Sequence, residues 1–200
     1  MTMSDARTPT LPIAPQFTER WSPRAFTGEP MPLDTLMACF EAARWAPSAS
    51  NSQPWRFVYG LAGTPAFDAL LATLVPFNQG WAQHASALVA VLSTRTTTPP
   101  GQDAAVPAPW HAFDAGAAWM SLALEAHHQG WITHAMGGFD AAALQARLGV
   151  PDDVAAHAVV AIGRQGDKAR LPDALQARET PNQRKPLSEL VAEGRWTLAG

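Results

Sequence analysis

The stretch Arg44–Gly60, "RWAPSASNSQPWRFVYG", joins two periodic elements through a run that has no period of its own. Upstream, "MPLDTLMACFEAARWA" sets Leu33, Leu36, Met37, Phe40 and Ala43 at helical spacing, with Pro32 suited to a first turn. Pro47 ends that helix, because the residue before a proline is pushed out of the α region. Downstream, "WRFVYG" reads as a strand. A surface turn between the two needs fewer residues than Pro47–Pro54 and gains nothing from a glutamine before a proline. Asn51 and Gln53 each carry a donor and an acceptor on one planar amide, which suits a heterocycle alternating C=O and N–H along its edge. Asx- and Ser-turn bonding to the loop's own backbone is the alternative, and it is the preferred reading for Ser50 and Ser52. The segment is a loop or one side of a pocket.

Outward from this switch, "PAFDALLATL" reads as a helix and "ALVAVLS" as a strand buried on both faces. "TRTTTPPGQDAAVPAP" is rich in proline and threonine and reads as a long irregular loop, a candidate lid. From Phe113 to about His127 the chain is apolar nearly all round, which predicts a helix buried on more than one side, with Gly130 as its stop. "WITHAM" is a short strand and "GGF" a tight loop. "DAAALQARLGV" is a helix started by Asp140 and stopped by Gly149, and "HAVVAIG" is another buried strand. Residues 1–15 read as a loose arm. The end, from about residue 180 to 200, is a charged tail with too little apolar surface to stand alone, suited to lying over its own core or a partner chain. No repeat and no linker between cores is visible, so residues 1–200 form one domain.

The chain has 200 residues, 47% hydrophobic and 16% charged, which suits a single compact core. A net charge of -3 without long runs of either sign disfavours a general nucleic-acid or membrane-surface binder. The longest apolar run, around Ala85–Leu92, is far short of the roughly 20 residues of a membrane span. No secretory signal is visible at the N-terminus, and the single cysteine, Cys39, suits a reducing compartment. A cytoplasmic location is expected.

Other places remain odd once a core is subtracted. In "RWSPRAF", an extended backbone turns Arg20, Ser22 and Arg24 to one side, suiting a phosphate or another compact anion; a solvated basic edge is the plainer reading of that motif alone. Asn78, in "FNQGW", is a polar reader or a helix cap, and nothing local decides which. In "HAMGGFD", adjacent glycines let the backbone approach a ligand or simply turn tightly, without the spacing of a dinucleotide fingerprint. Metal ligation finds no support: His127 and His128 are helix neighbours facing different ways, and no H-E-x-x-H or cysteine pair exists. His84, His111 and His134 are isolated and read as structural. No G-x-S-x-G elbow supports a serine hydrolase, and Cys39, on a core-facing helix, reads as inert.

Taken in order, these motifs resemble the nitroreductase family of FMN-dependent oxidoreductases: Arg-x-Ser-x-Arg-x-Phe, "APSASNSQPW" at a helix-to-strand switch, an asparagine before the next helix, "GGFD", and "RKPLSELV" near the end. The resemblance runs from about Phe17 to Val191. It implies an α+β fold with a central, mostly antiparallel sheet flanked by helices, an intertwined homodimer, and FMN in each of two dimer clefts. Arg20, Trp21 and Ser22 resemble phosphate contacts, and Arg184 a late basic residue reaching the same phosphate. Arg24 stands where the family often has a cation near the N1/O2 edge of the ring. Pro47, Ser48, Ala49, Asn51 and Gln53 match a segment approaching the flavin from the neighbouring subunit. Asn78 matches a contact to the pyrimidine side. Ala135, Met136, Gly137 and Gly138 match a strip along the ring with a backbone N–H near N5.

The activity implied is a two-step exchange. NAD(P)H gives hydride to the flavin and leaves, and an electron-poor small molecule, a nitroaromatic or quinone, then takes its place. The flavin carries the chemistry, so no catalytic side chain and no metal is expected. Three departures from the family pattern stand out. Gly137 replaces a glutamate of some members, Trp81 replaces a second cation, and Ala49 replaces a serine. A same-fold enzyme that fragments flavin or dehalogenates aromatics, a flavin carrier or sensor without turnover, and a plain interaction domain are the rival readings. The physiological acceptor, the choice of NADH or NADPH, the reduction potential and the role of residues 94–109 are not legible.

Overall fold

The computed structural model describes residues 7–198. In chain order the elements are α1 (Gln16–Glu19), α2 (Leu33–Arg44), β1 (Trp55–Leu61), α3 (Pro65–Leu71), α4 (Pro76–Ala82), β2 (Ala87–Thr94), β3 (Thr96–Thr97), β4 (Val106–Pro107), α5 (His111–His128), β5 (Ile132–Met136), α6 (Ala141–Leu148), β6 (Val154–Gly163) and α7 (Asp173–Gln176). The fold is α+β. Its main sheet has the strand order β1-β2-β6-β5 and is antiparallel at every pairing.

Period-two alternation explains why β2 lies inside this sheet. Leu88, Ala90 and Leu92 face one core, with Phe67, Leu70, Trp81 and Leu144 from α3, α4 and α6. Ala87, Val89 and Val91 face the other, with Leu36, Cys39 and Ala43 of α2 and Ala118, Leu122 and Ala126 of α5. A strand apolar on both faces is stable only between two helical layers. Each fully buried leucine here, such as Leu88 or Leu122 at 0% exposure, contributes about 1.5–3 kcal/mol by leaving water.

Local signals hold where side chains cap or pack. Asp140 accepts from the N–H of Ala143 at 3.0 Å and starts α6. Gly149 ends it in the left-handed region at φ 64°, which costs glycine nothing. Two expectations are corrected. The helix predicted to run through "ATL" stops at Leu71, where the Thr73 hydroxyl donates to the Leu70 carbonyl at 2.7 Å. The segment after β2 is not irregular throughout: Thr96–Thr97 pair with Val106–Pro107 as a short hairpin. Its base is tied by Arg95 N–H to Asp153 O and Ala108 N–H to Arg95 O, both at 2.8 Å. Threonine favours the pleated backbone, which the proline-rich reading underweighted. The expectation that α5 is buried on more than one side holds, since the helix packs against α2, α1 and the sheet and leaves only a stripe open. Phe113 is 76% exposed, and Met120 also faces solvent.

The loose-arm expectation covers residues 1–15, of which 1–6 lie outside the described residues. At its described start the arm is fastened, because Arg7 donates to the carbonyls of Thr18, Arg20 and Asn182. Beyond residue 180 the tail is exposed, with Leu187, Leu190, Val191 and Trp196 open to solvent. No helix among the described residues is long and apolar enough to cross a membrane.

Candidate functional site

The turn after α1 leads into an extended run, and there Arg20 and Ser22 do share a side: Arg20 Nη1 donates to Ser22 Oγ at 3.4 Å and to the Trp21 carbonyl at 3.0 Å. Arg184 comes to the same corner from the tail, and Arg7 from the arm. Burial, then the nearby Arg184, lowers the Arg20 guanidinium below its ordinary value. Burial, then Arg184 and Arg20, does the same to Arg7. Among the described residues, none of the three pairs with a carboxylate. Arg7 and Arg184 border a cleft of about 540 Å³ that Thr18, Asn182 and Lys185 also help to line. Gathering like charges without acids costs free energy unless an anion completes the set.

Arg24 departs from that group. Its backbone N–H and that of Ala25 both donate to Glu179 Oε1, while its guanidinium Nη1 stands 3.6 Å from Glu179 Oε2. The guanidinium lies 6.0 Å from the centre of the Trp81 ring. His134, on β5, packs against Trp81 with ring centres 4.7 Å apart and donates Nδ1–H to the Pro23 carbonyl at 3.0 Å. That bond straps the extended run to the sheet. Burial chiefly lowers the pKa of His134, so its ring is neutral near pH 7. Buried without hydrogen-bond partners here are Arg24 Nε, Trp81 Nε1 and Glu179 Oε2. Buried polar atoms are normally satisfied, so each orphan marks a place for a missing partner.

A third edge is the strip Ala135–Gly138. The Met136 side chain is buried among α3 and α6 residues, and Ala135 packs towards the α2–α5 side, so only backbone is offered outward. Asn78 is not a helix cap. It lies inside α4, whose N-cap is Val75, and its Nδ2 donates to the Gly138 carbonyl at 3.1 Å. A Cβ at Gly138 would fall 2.8 Å from that nitrogen, whereas a Cβ at Gly137 would meet nothing within 4 Å. The surface beside Gly137 is therefore open ground for a flat group.

Pro47–Pro54 lies elsewhere. Ser50, Asn51 and Gln53 have φ of 51°, 52° and 47°, and they are the non-glycine residues with left-handed backbone among those described. Such strain concentrates at functional sites. The segment is partly self-satisfied: Gln53 N–H donates to Ser48 Oγ at 3.0 Å, and Gln53 Nε2 to the Asn51 carbonyl at 3.3 Å. From outside, buried Asp114 in the first turn of α5 accepts from Ala49 N–H at 3.2 Å. Asn51 and Gln53 are exposed. The chain brings together Arg20, Trp21, Ser22 and Arg184 at one corner. Arg24 with Trp81, and Asn78 with Gly138, form adjoining contacts. Pro47, Ser48, Ala49, Asn51 and Gln53 share no hydrogen bond with any of these groups.

Sequence reasoning missed Arg7, Asp114 and Glu179. Arg7 sits in a run without periodicity, Glu179 in a charged tail, and Asp114 within an apolar helix where a buried acid asks for a partner. That last signal was legible. Another polar group stands apart from the site, with Ser93 Oγ between His111 Nδ1 at 2.7 Å and His157 Nε2 at 2.6 Å. No metal-holding group of three or more His, Cys, Asp or Glu exists among the described residues. Burial pushes the Cys39 thiol up to about 11, as befits a core residue.

A model of the nitroreductase family matches residues 17–60 and 61–164. A crystal structure described as an oxidoreductase containing FMN superposes with a TM-score of 0.94 at 45% identity, over 100% of both chains. A protein of Desulfovibrio desulfuricans, named as a nitroreductase and solved in complex with FMN, gives a TM-score of 0.71 at 25% identity, over 94% of this chain and 99% of that one. An uncharacterized 15.4 kDa protein of Mycolicibacterium smegmatis is 38% identical over 68% of this chain and 91% of its own length.

Proposed function

The chain belongs to the nitroreductase family, and from that premise we propose that it is an FMN-dependent oxidoreductase. In this reading it passes hydride equivalents from NAD(P)H to an electron-poor small molecule such as a nitroaromatic or a quinone. The observation that carries the reading is the corner where Arg7, Arg20 and Arg184 gather near Ser22, none of them paired with a carboxylate among the described residues. A dianionic phosphate supplies the missing charge, and guanidinium forks match its oxygens. The rest of the site fits the same group. Arg24 Nε and Trp81 Nε1 are buried without partners, and the ground beside Gly137 is open. The 45%-identical structure containing FMN supports the assignment.

When bound, FMN supplies two-electron, hydride-accepting chemistry that no side chain here could perform. The chain's own residues bind and orient it. Arg20, Ser22 and Arg184 hold the phosphate, with Trp21 beside them. Arg24 offers positive charge where negative charge develops. Ala135, Met136, Gly137 and Gly138 present backbone along the ring, and Asn78 fixes that strip through the Gly138 carbonyl.

The second half of the pocket comes from a second copy in this reading. Pro47, Ser48, Ala49, Asn51 and Gln53 form a strained, exposed segment without hydrogen bonds to the phosphate corner. Phe113, Met120, Met37 and Leu33 leave apolar surface open on α5 and α2. A homodimer covers that surface and brings the segment of one protomer to the corner of its partner, with the tail beyond residue 180 lying across. In the same reading the hairpin at 96–107 and the exposed Trp110 contribute to acceptor choice.

The test is direct. Purified protein should be yellow or become so with FMN, and anaerobic NADH or NADPH should bleach the flavin band within seconds. Protein that stays colourless after incubation with FMN removes the proposal. A coloured protein that neither nicotinamide bleaches is a carrier instead.

A further inference from the structure

Glu179 does two separable jobs. Its Oε1 accepts from the N–H groups of Arg24 and Ala25, the latter at 2.8 Å, and so clamps the extended run to the segment after α7. Its Oε2 stands 3.6 Å from Arg24 Nη1 and has no hydrogen bond at all, although the residue is only 6% exposed. A carboxylate and a guanidinium that pair for stability alone close into two parallel short bonds. Here Arg24 Nε is left buried and empty, and so is Nε1 of Trp81, which the guanidinium overlies. The cation is thus held beside a negative charge while part of its fork remains aimed elsewhere.

We propose that Glu179 is a positioning residue that keeps Arg24 half-neutralised against the flavin and so sets the reduction potential of the bound cofactor. This rests on the reading that FMN binds with its ring beside Arg24. Hydride transfer from NAD(P)H moves two electrons and one proton onto a neutral ring, releasing NAD(P)⁺ and leaving one net negative charge on the reduced ring. An unshielded cation stabilises that charge, and a cation shared with a carboxylate stabilises it less. Glu179 therefore makes the reduced cofactor a stronger donor than Arg24 alone would allow.

Glu179→Gln separates the two jobs, because the amide oxygen can still accept from both backbone N–H groups while the charge is gone. The midpoint potential of bound FMN, read by equilibration with reference dyes, should rise by about 30 mV, a tenfold shift of the two-electron equilibrium. FMN affinity of the oxidised protein should stay within about threefold. In an Arg24→Gln background the same replacement should shift the equilibrium less than about twofold, since no cation remains to be unmasked. Glu179→Ala loses the clamp as well and should lower the melting temperature of the FMN-free protein. If Glu179→Gln does not fold, Arg24→Gln decides instead: it removes the cation that Glu179 holds beside the ring and should lower the midpoint by at least 30 mV, tenfold. An unchanged midpoint in the deciding variant, or an equal rise in both backgrounds, overturns the inference while FMN binding stands. Wild-type protein that takes up no FMN overturns the proposed function, and this inference with it.

Discussion

The corner around Arg20 and the segment Pro47–Pro54 are built in opposite ways. The corner gathers repelling charges and holds them by straps from distant parts of the same chain. Arg7 fastens the arm to the carbonyls of Thr18, Arg20 and Asn182, His134 ties Pro23 to β5, and Glu179 clamps Arg24 and Ala25. The segment holds left-handed backbone at Ser50, Asn51 and Gln53, with Asp114 as its side-chain anchor from another element. In the proposed reading one region lacks only an anion. The other is a strained, exposed segment, which the same reading assigns to a half-site completed by a second copy.

The comparison breaks most readily at the charges. Arg20→Ala removes charge-assisted bonds worth about 1.5–3 kcal/mol, so FMN affinity should fall roughly tenfold to more than a hundredfold. The loss should shrink at high salt, where screening weakens the wild type too. Flavin-fluorescence titration at two ionic strengths checks it. Unchanged affinity would refute the phosphate role.

Next come the glycines. Gly138→Ala drives a methyl to 2.8 Å from Asn78 Nδ2 and should cost about 1–3 kcal/mol of stability by overpacking. Gly137→Ala meets nothing within 4 Å; it should leave the FMN-free melting curve within about ±0.5 kcal/mol and still weaken FMN binding. Equal effects of the two on stability would contradict the open ground beside Gly137.

Asp114→Ala leaves the Ala49 N–H without its acceptor, at a cost of about 1–3 kcal/mol. Amide exchange at Ala49 should accelerate, while the corner, measured by phosphate or FMN binding, should change less than in Arg20→Ala. A corner that suffers equally would show the two regions to be one unit.

The smallest effects concern pH and strain. Burial first, then His111 and Arg95, lowers the pKa of His157, and burial chiefly lowers that of His134. Both groups bind protons more readily when unfolded, where imidazole titrates near about 6.5. Their stabilisation is therefore complete above about 6.5 and is lost as pH falls below it towards the folded values. Melting temperature should drop between pH 7 and pH 5, and His157→Gln should flatten part of the slope. Ser50→Gly relieves left-handed strain at φ 51° and should change stability by no more than about 1–2 kcal/mol, without strengthening FMN binding.

Near neighbours determined much of this protein. The apolar repeat of α2, the two-sided alternation of β2, the Asp140 and Gly149 limits of α6, and the shared face of Arg20 and Ser22 were all readable, because backbone geometry links residues a few positions apart. Asn78 shows the boundary: its residue type suggested a polar role, but its partner, the Gly138 carbonyl, lies 60 positions on. Glu179 meets Arg24 across 155 positions, and Asp114 meets Ala49 across 65. No local period encodes such meetings. They arise only when the antiparallel sheet and its two helical layers bring the ends of the chain together, and the electrostatic character of the site was therefore decided by the tertiary structure.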